Sequence, residues 1–216
     1  MIDLNKSREF FNPDKLHIKV SIVGCGAVGS QLAVLLARLG IKDFILYDED
    51  VVNSHNIANQ NFNFNDIGKF KVDCVKSTIK AINPDAEVET RGFASVSNPP
   101  KGYTFVCVDS IKVRQELYEM LVMMNIPAMF DFRMGLTSGQ FYCVPKHRAT
   151  LWRKTMNFTD EEADAITPKS ACGFELSVAY TIWTMLGVGV SEFVKYLKDV
   201  EVPLCTQIDT YNRSIL

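Results

Sequence analysis

His17-Ile-Lys-Val-Ser-Ile-Val-Gly-Cys-Gly-Ala-Val-Gly29, running on into the apolar stretch from Ser30 to Leu39, decides how the rest of this 216-residue chain is read. The β-branched run from His17 to Val23 predicts a strand, the glycines a tight turn, and the periodic leucines and alanines after Ser30 a helix. Gly24, Gly26 and Gly29 fit a phosphate-binding fingerprint. The first glycine makes the turn, the second lets the backbone approach phosphate, and the third lets helix and strand pack closely. Ala27 stands where the amino end of the helix offers unbonded N–H groups to an anion. These four positions are candidate nucleotide-binding residues. A turn kept only for packing is the competing reading, and the turn alone does not choose the nucleotide.

Outward from the turn, a second strand, Phe44–Tyr47, ends in Asp48, Glu49 and Asp50, and Asp48 falls where a ribose-binding acid belongs. Lys71 to Ala81 has helical periodicity through Val72, Val75 and Ile79, and Asn83-Pro84 stops it. Val88–Phe93 and Thr104–Val108 read as strands, the latter ending at Asp109. A helix from Val113 to Met124 follows, then strands Ala128–Arg133 and Gly139–Val144. The repeated order of strand and helix predicts an α/β fold: a Rossmann-like, doubly wound, mainly parallel sheet with helices on both faces and an antiparallel extension. The chain is expected to form a single domain over 1–216, with an N-terminal arm at 1–16 and a mobile crossing loop with some helix at 145–170. Ala171–Leu186 reads as an apolar helix, Ser191–Lys198 as a short amphipathic one, and the tail from Val202 as a strand or arm.

Composition narrows the classes of function. With 23 basic against 25 acidic residues, no charge surplus points to nucleic acid or an anionic membrane. The apolar stretch from Phe174 to Val190 is too short and too interrupted to span a bilayer, and the charged N-terminus lacks the core of a signal peptide. A cytoplasmic protein is expected. The six cysteines stand singly, without the paired spacing of structural zinc sites, so neither zinc nor a disulfide framework is expected. His17, His55 and His147 show no spacing that suggests a metal or a triad.

Four further segments follow the glycine turn in order: Asp48-Glu-Asp-Val-Val-Asn-Ser-His-Asn-Ile-Ala-Asn-Gln60, Asp66-Ile-Gly-Lys-Phe-Lys71, Ile82-Asn-Pro84 and Val108-Asp-Ser110. In order and spacing they resemble the ThiF/MoeB/HesA adenylyltransferases, a family that includes the activating enzymes of ubiquitin and its relatives. The resemblance runs from about residue 17 to about residue 145, and more faintly beyond Cys172. It implies an enzyme that binds ATP and magnesium and activates a carboxylate. By position it puts the ribose acid at Asp48 with Asp50 beside it, the loop asparagine at Asn56, the phosphate-binding lysine at Lys71 and the magnesium-associated aspartate at Asp109. Asn59 stands where the family usually has an arginine that helps hold the triphosphate, and asparagine does not replace a bidentate cation. A second family arginine comes from the partner subunit's N-terminal arm, and Arg8 lies about where that arm belongs, which implies a homodimer. Family members that transfer the activated carboxyl to sulfur carry a cysteine in or after the crossing loop, and Cys172 lies there. A helix amino end would make its thiolate available, while a small buried cap residue fits equally well.

The leading expectation is an ATP-dependent adenylyltransferase acting on the C-terminus of a ubiquitin-like or sulfur-carrier protein, with Lys71, Asp109, Arg8 and Cys172 as catalytic candidates. Two other readings stay open. One is a nucleotide-binding scaffold or pseudoenzyme, for which Asn59 argues. The other is an NAD(P)-dependent oxidoreductase, which the glycine turn and Asp48 permit but the Lys71 region does not explain.

Overall fold

The computed structural model describes residues 2–171 and 176–216. They form two compact units, one reaching to Cys107 and the other running from Val108 to Leu216.

In the first unit, β1 (Lys19–Val23), β2 (Asp43–Tyr47), β3 (Glu87–Arg91) and β4 (Tyr103–Val106) form a parallel sheet in the order β3-β2-β1-β4. β1 and β2 are buried at every residue but the first, which is why both read as unbroken apolar runs rather than as alternations. The intervening helices, α1 (Ala27–Arg38) and α2 (Lys71–Ile82), pack side by side. α1 buries Leu32, Ala33, Leu36 and Ala37, and α2 buries Val72, Cys74, Val75 and Ile79. Successive strands step away from β1 to β3, and β4 then returns to the other side of β1. That reversal is a topological switch point, and open α/β sheets bind their ligands at the carboxyl ends of the strands on either side of it, here β1 and β4.

The second unit begins with α3 (Ile111–Met123) and builds an antiparallel sheet from β5 (Ala128–Met134), β6 (Ser138–Pro145), β7 (Cys205–Asp209) and the short β8 (Ser214–Ile215). Between β6 and β7 lie α4 (Ala149–Lys154), α5 (Asp160–Ile166) and α6 (Ala179–Leu197). Phe130, Phe132, Phe141 and Phe193 are fully buried, with Phe193 edge-on to Phe130 at 4.9 Å between ring centroids. The parallel core, the helical layers and the antiparallel extension make this a Rossmann-like α/β fold.

Several elements differ from the sequence expectation. The first helix starts at Ala27, not Ser30, so the glycine turn runs straight into it. β1 starts at Lys19 because His17 has a left-handed backbone, with φ of 45°. The 145–170 segment is more helical than a crossing loop: it holds a 3-10 turn, α4 and α5, and Trp152 and Met156 are fully buried. The two helices expected at 171–186 and 191–198 are one, α6, which begins at Ala179. Gly187 and Gly189 suggest a break, yet the helix continues because Phe132 and Phe141 pack onto Gly189. A Cβ there would come within 2.5 Å of the Phe132 ring, so close packing offsets the weak helix propensity of glycine. Among the described residues no helix is long and apolar enough to cross a membrane.

Candidate active site

The glycine turn is built for close approach. Gly24 holds φ at 92° and donates its N–H to the Tyr47 carbonyl at 2.8 Å, which ties the turn to the end of β2. A Cβ on Gly29 would sit 1.8 Å from the Gly24 carbonyl oxygen, so helix and strand meet without room for a methyl. Gly26, the N-cap of α1, is different: a Cβ there meets nothing within 4 Å. Packing does not explain that glycine, whereas space for a phosphate beside the free N–H groups of α1 does. The contrast is testable by nucleotide binding and thermal unfolding. Gly29→Ala is expected to destabilise by about 1–3 kcal/mol through overpacking. Gly26→Ala is expected to leave the melting temperature unchanged and weaken nucleotide binding by about tenfold or more, which corresponds to about 1.4 kcal/mol of binding energy.

Asp48 braces this turn. Its carboxylate accepts the Cys25 N–H at 2.7 Å and the Asp50 N–H at 2.9 Å. Burial pushes its pKa above the ordinary carboxylate value, and the two N–H groups and the Lys71 charge pull against that rise. Lys71 is the first residue of α2 and only 8% exposed, so it is not an ordinary solvent-facing lysine. Its N–H donates to the Asp50 carbonyl at 2.9 Å, and its ammonium pairs with the Asp50 carboxylate at 2.8 Å. The Asp50 side chain is two-thirds exposed, so the ammonium rests on a counter-ion that faces solvent.

Asn56 is buried, and its side-chain oxygen accepts the Asn53 N–H at 2.8 Å, while its amide nitrogen donates to no described residue. The loop it starts is stapled to α1: Gln31 Nε2 donates to the Asn59 carbonyl at 2.9 Å, and Ser30 Oγ accepts the Asn61 N–H at 2.9 Å. Asn59 is thus fixed through its backbone. Gln60 Oε1, next in the chain, is buried without a hydrogen-bond partner in the structure. Gly24, Gly26, Ala27, Gly29, Asp48, Asp50, Asn56, Asn59 and Lys71 all belong to the first unit and gather around the carboxyl ends of its strands. Arg8 does not join them. It pairs with Asp14 at 3.5 Å, and Asp14 also holds Lys42 at 2.6 Å, just ahead of the first residue of β2 and so at the opposite end of the strands.

Asp109 belongs to the second unit, where it is exposed and its carboxylate accepts from no described residue. The backbone around it is held by Arg114, a residue the motif reading missed. Arg114 is 4% exposed and donates to the carbonyls of Val108, Asp109 (2.8 Å) and Phe132 (3.1 Å). Its Nε also donates to Asp131 at 3.0 Å, and the fully buried Asp131 further accepts from Arg133 at 2.7 Å and from the Trp152 indole at 2.9 Å. The sequence did carry a signal: an aspartate flanked by phenylalanines inside the strand 128–133 demands buried cationic partners. Cys172 lies outside the described residues.

A glycine turn at the switch point of a parallel sheet, with an acid at the next strand end, defines a Rossmann-like nucleotide-binding protein. The sequence pattern of the ThiF family matches residues 14–214, and the chain belongs to that family. Among curated relatives, ubiquitin-like modifier-activating enzyme 5 of Drosophila melanogaster is 31% identical over 116 residues, covering 45% of this chain and 29% of that protein. The Caenorhabditis elegans enzyme of the same name is 38% identical over 74 residues, covering 34% of this chain and 18% of that protein. The matched part is thus under a third of these relatives' length. Among solved structures, E. coli MccB with AMPCPP and MccA superposes with a TM-score of 0.75 at 20% identity, covering 99% of this chain and 71% of that one. PaaA superposes with a TM-score of 0.73 at 21% identity, covering 100% of this chain and 77% of that one.

Proposed function

We propose that the protein is an ATP-dependent adenylyltransferase that activates a carboxylate, the C-terminus of a ubiquitin-like or sulfur-carrier protein. The observation that carries this reading is the joint placement of the open Gly26 turn, the braced Asp48 and the buried Lys71 around one set of strand ends. A nicotinamide oxidoreductase needs the first two but gives no reason for a buried lysine paired with Asp50. Membership of the ThiF family and the similarity to an activating enzyme support the same reaction class.

In this reading the α1 N–H groups of Ala27 and its neighbours receive phosphate oxygens, Asp48 accepts from the ribose hydroxyls, and Asn56 donates its amide hydrogen. Lys71 exchanges part of its bond with Asp50 for the triphosphate. A substrate carboxylate oxygen bonds to the α-phosphorus, the bond from that phosphorus to the bridging oxygen breaks, and pyrophosphate leaves with the electron pair. Held donors and cations around the pentavalent centre supply the stabilisation. Magnesium is part of the proposal, with Asp109 as its protein ligand. Among the described residues no group of three or more His, Cys, Asp or Glu could hold a metal by itself. One free carboxylate suits magnesium, which keeps waters and substrate phosphates in its shell, and when bound it would neutralise phosphate charge. A homodimer in which Arg8 serves the partner's site, a thioester at Cys172 and a cytoplasmic location complete the proposal.

Asn59 favours one second reading, a nucleotide-binding scaffold that has lost ATP cleavage. Measuring nucleotide affinity and pyrophosphate exchange in wild type and Asn59→Arg separates the two. An adenylyltransferase is expected to bind ATP over NAD, to exchange pyrophosphate as wild type, and to exchange faster with the arginine restored. Tight ATP binding with no exchange in either protein would favour the scaffold.

A further inference from the structure

Asp160, from the segment expected to be a crossing loop, does more than open its own helix. Its carboxylate accepts from Ser110 Oγ at 3.0 Å and from the backbone N–H groups of Ile111 and Lys112, the latter at 3.4 Å. Those groups form the first turn of α3, where Ser110 is the N-cap and its Oγ accepts the Val113 N–H at 3.2 Å. On the carbonyl side of the same short stretch, the buried Arg114 guanidinium takes the oxygens of Val108 and Asp109. The backbone from 108 to 112 is therefore gripped twice, by a cation on its carbonyls and by an anion on its N–H groups. Asp109 lies inside that grip, yet its own carboxylate is exposed and accepts from no described residue. A rigid backbone with one carboxylate left over is how a single acid is aimed at a cation.

The segment that brings Asp160 is itself anchored. Gln115 donates to the Met156 carbonyl at 2.9 Å, and Arg133 donates to the Thr155 carbonyl at 3.0 Å and to its hydroxyl at 2.9 Å. Thr159 and Glu162 close a capping box around the start of α5, with the Thr159 N–H donating to Glu162 at 2.8 Å. Asp160 thus meets α3 from a placed helix end, and its pKa is lowered: burial alone would raise it, but the Ile111, Ser110 and Lys112 donors outweigh that.

We propose that Asp160 is a positioning residue for Asp109. By seating its carboxylate on the start of α3, the crossing segment sets the turn that presents Asp109 to magnesium, so docking of the segment and use of the metal are one coupled equilibrium. The proposal rests on reading Asp109 as the magnesium carboxylate of an ATP-binding protein. A residue that merely capped α3 would change stability and leave metal dependence alone.

The test measures ATP affinity by calorimetry on the full chain, once with excess magnesium and once with EDTA, for wild type, Asp160→Ala, Asp160→Asn, Asp160→Glu and Asp109→Ala. Asp160→Ala and Asp160→Asn are expected to lose about tenfold or more of the magnesium-dependent affinity, the range for removing support behind a metal ligand. Their affinity in EDTA stays that of wild type, and Asp160→Glu recovers part of the loss. Wild-type magnesium dependence in Asp160→Ala, alongside its loss in Asp109→Ala, would overturn the coupling and leave the functional reading standing. A wild type that binds ATP equally with and without magnesium would remove the role given to Asp109, and this proposal with it.

Discussion

Asp131→Ala is expected to destabilise the second unit by about 3–5 kcal/mol, because it strips the shared counter-ion from the buried Arg114 guanidinium and the largely covered Arg133 one. The side chains of Arg114 and Arg133 are 5% and 14% exposed, and Asp131 itself is fully buried, so neither arginine has a ready route to water. The Trp152 indole N–H would lose its acceptor as well. A loss of that size is a large fraction of a typical domain stability of about 5–15 kcal/mol. Urea unfolding at neutral pH checks it, and Asp131→Asn, which keeps an acceptor for one of these donors but not the charge, should lose less. The same group gives the protein an acid limb. Burial alone would raise the Asp131 pKa, but Arg114, Arg133 and Trp152 hold it below the ordinary value of 3.8. Its contribution is therefore complete above the unfolded pKa and is lost as pH falls through the lowered one. Stability measured from pH 7 downward should drop below about pH 4 in wild type and be flatter there in Asp131→Asn, which has no carboxyl to titrate at that position.

Lys71→Ala is expected to lower ATP–pyrophosphate exchange by about 10²–10³, the usual cost of removing one preorganised charge or donor from a charged transition state. Folding should hardly change, because the Asp50 partner is largely exposed and ion pairs with an exposed member contribute at most about 1 kcal/mol. Asp50→Ala separates the two members of the pair: it frees the ammonium without removing it, so exchange should fall less than in Lys71→Ala. Equal loss in both variants would show that the pair acts as a unit rather than through the lysine's charge. Unchanged exchange in Lys71→Ala, at saturating ATP, would remove Lys71 from the chemistry.

Much of the first unit was legible because its signals are local. A strand buried on both faces reads as an apolar run, a glycine that meets a backbone carbonyl cannot be anything else, and an acid at a strand end lies beside the turn it braces. The strands and helices from Lys19 to Ile82 follow that logic to within a few residues, while the loops between them hold 3-10 turns that it does not foresee. The second unit was harder because its deciding contacts are long-range. Gly189 looks like a helix breaker until Phe132 and Phe141 are packed on it, and Trp152, in a segment expected to be a mobile loop with some helix, is buried where it reaches Asp131. Arg114 and Asp160 escaped notice because most of their partners are backbone groups, which leave no mark in sequence; the one mark Arg114 had was the aspartate at 131 that it pairs with. Asn59 was visible as a departure from the family pattern. The structure adds that its carbonyl is held by Gln31, so the position is ordered and an arginine placed there would start from a fixed backbone.

The roles proposed for Lys71 and Asp109 serve one step, the joining of ATP to a carboxylate, and pyrophosphate exchange into ATP measures that step directly. Wild type and Asp109→Ala would be assayed with magnesium against a panel of ubiquitin-like and sulfur-carrier proteins, with a no-carrier control. Exchange is expected to require one of the carriers and to disappear in Asp109→Ala. Tight ATP binding with no exchange across the whole panel would contradict it and leave a nucleotide-binding scaffold in its place.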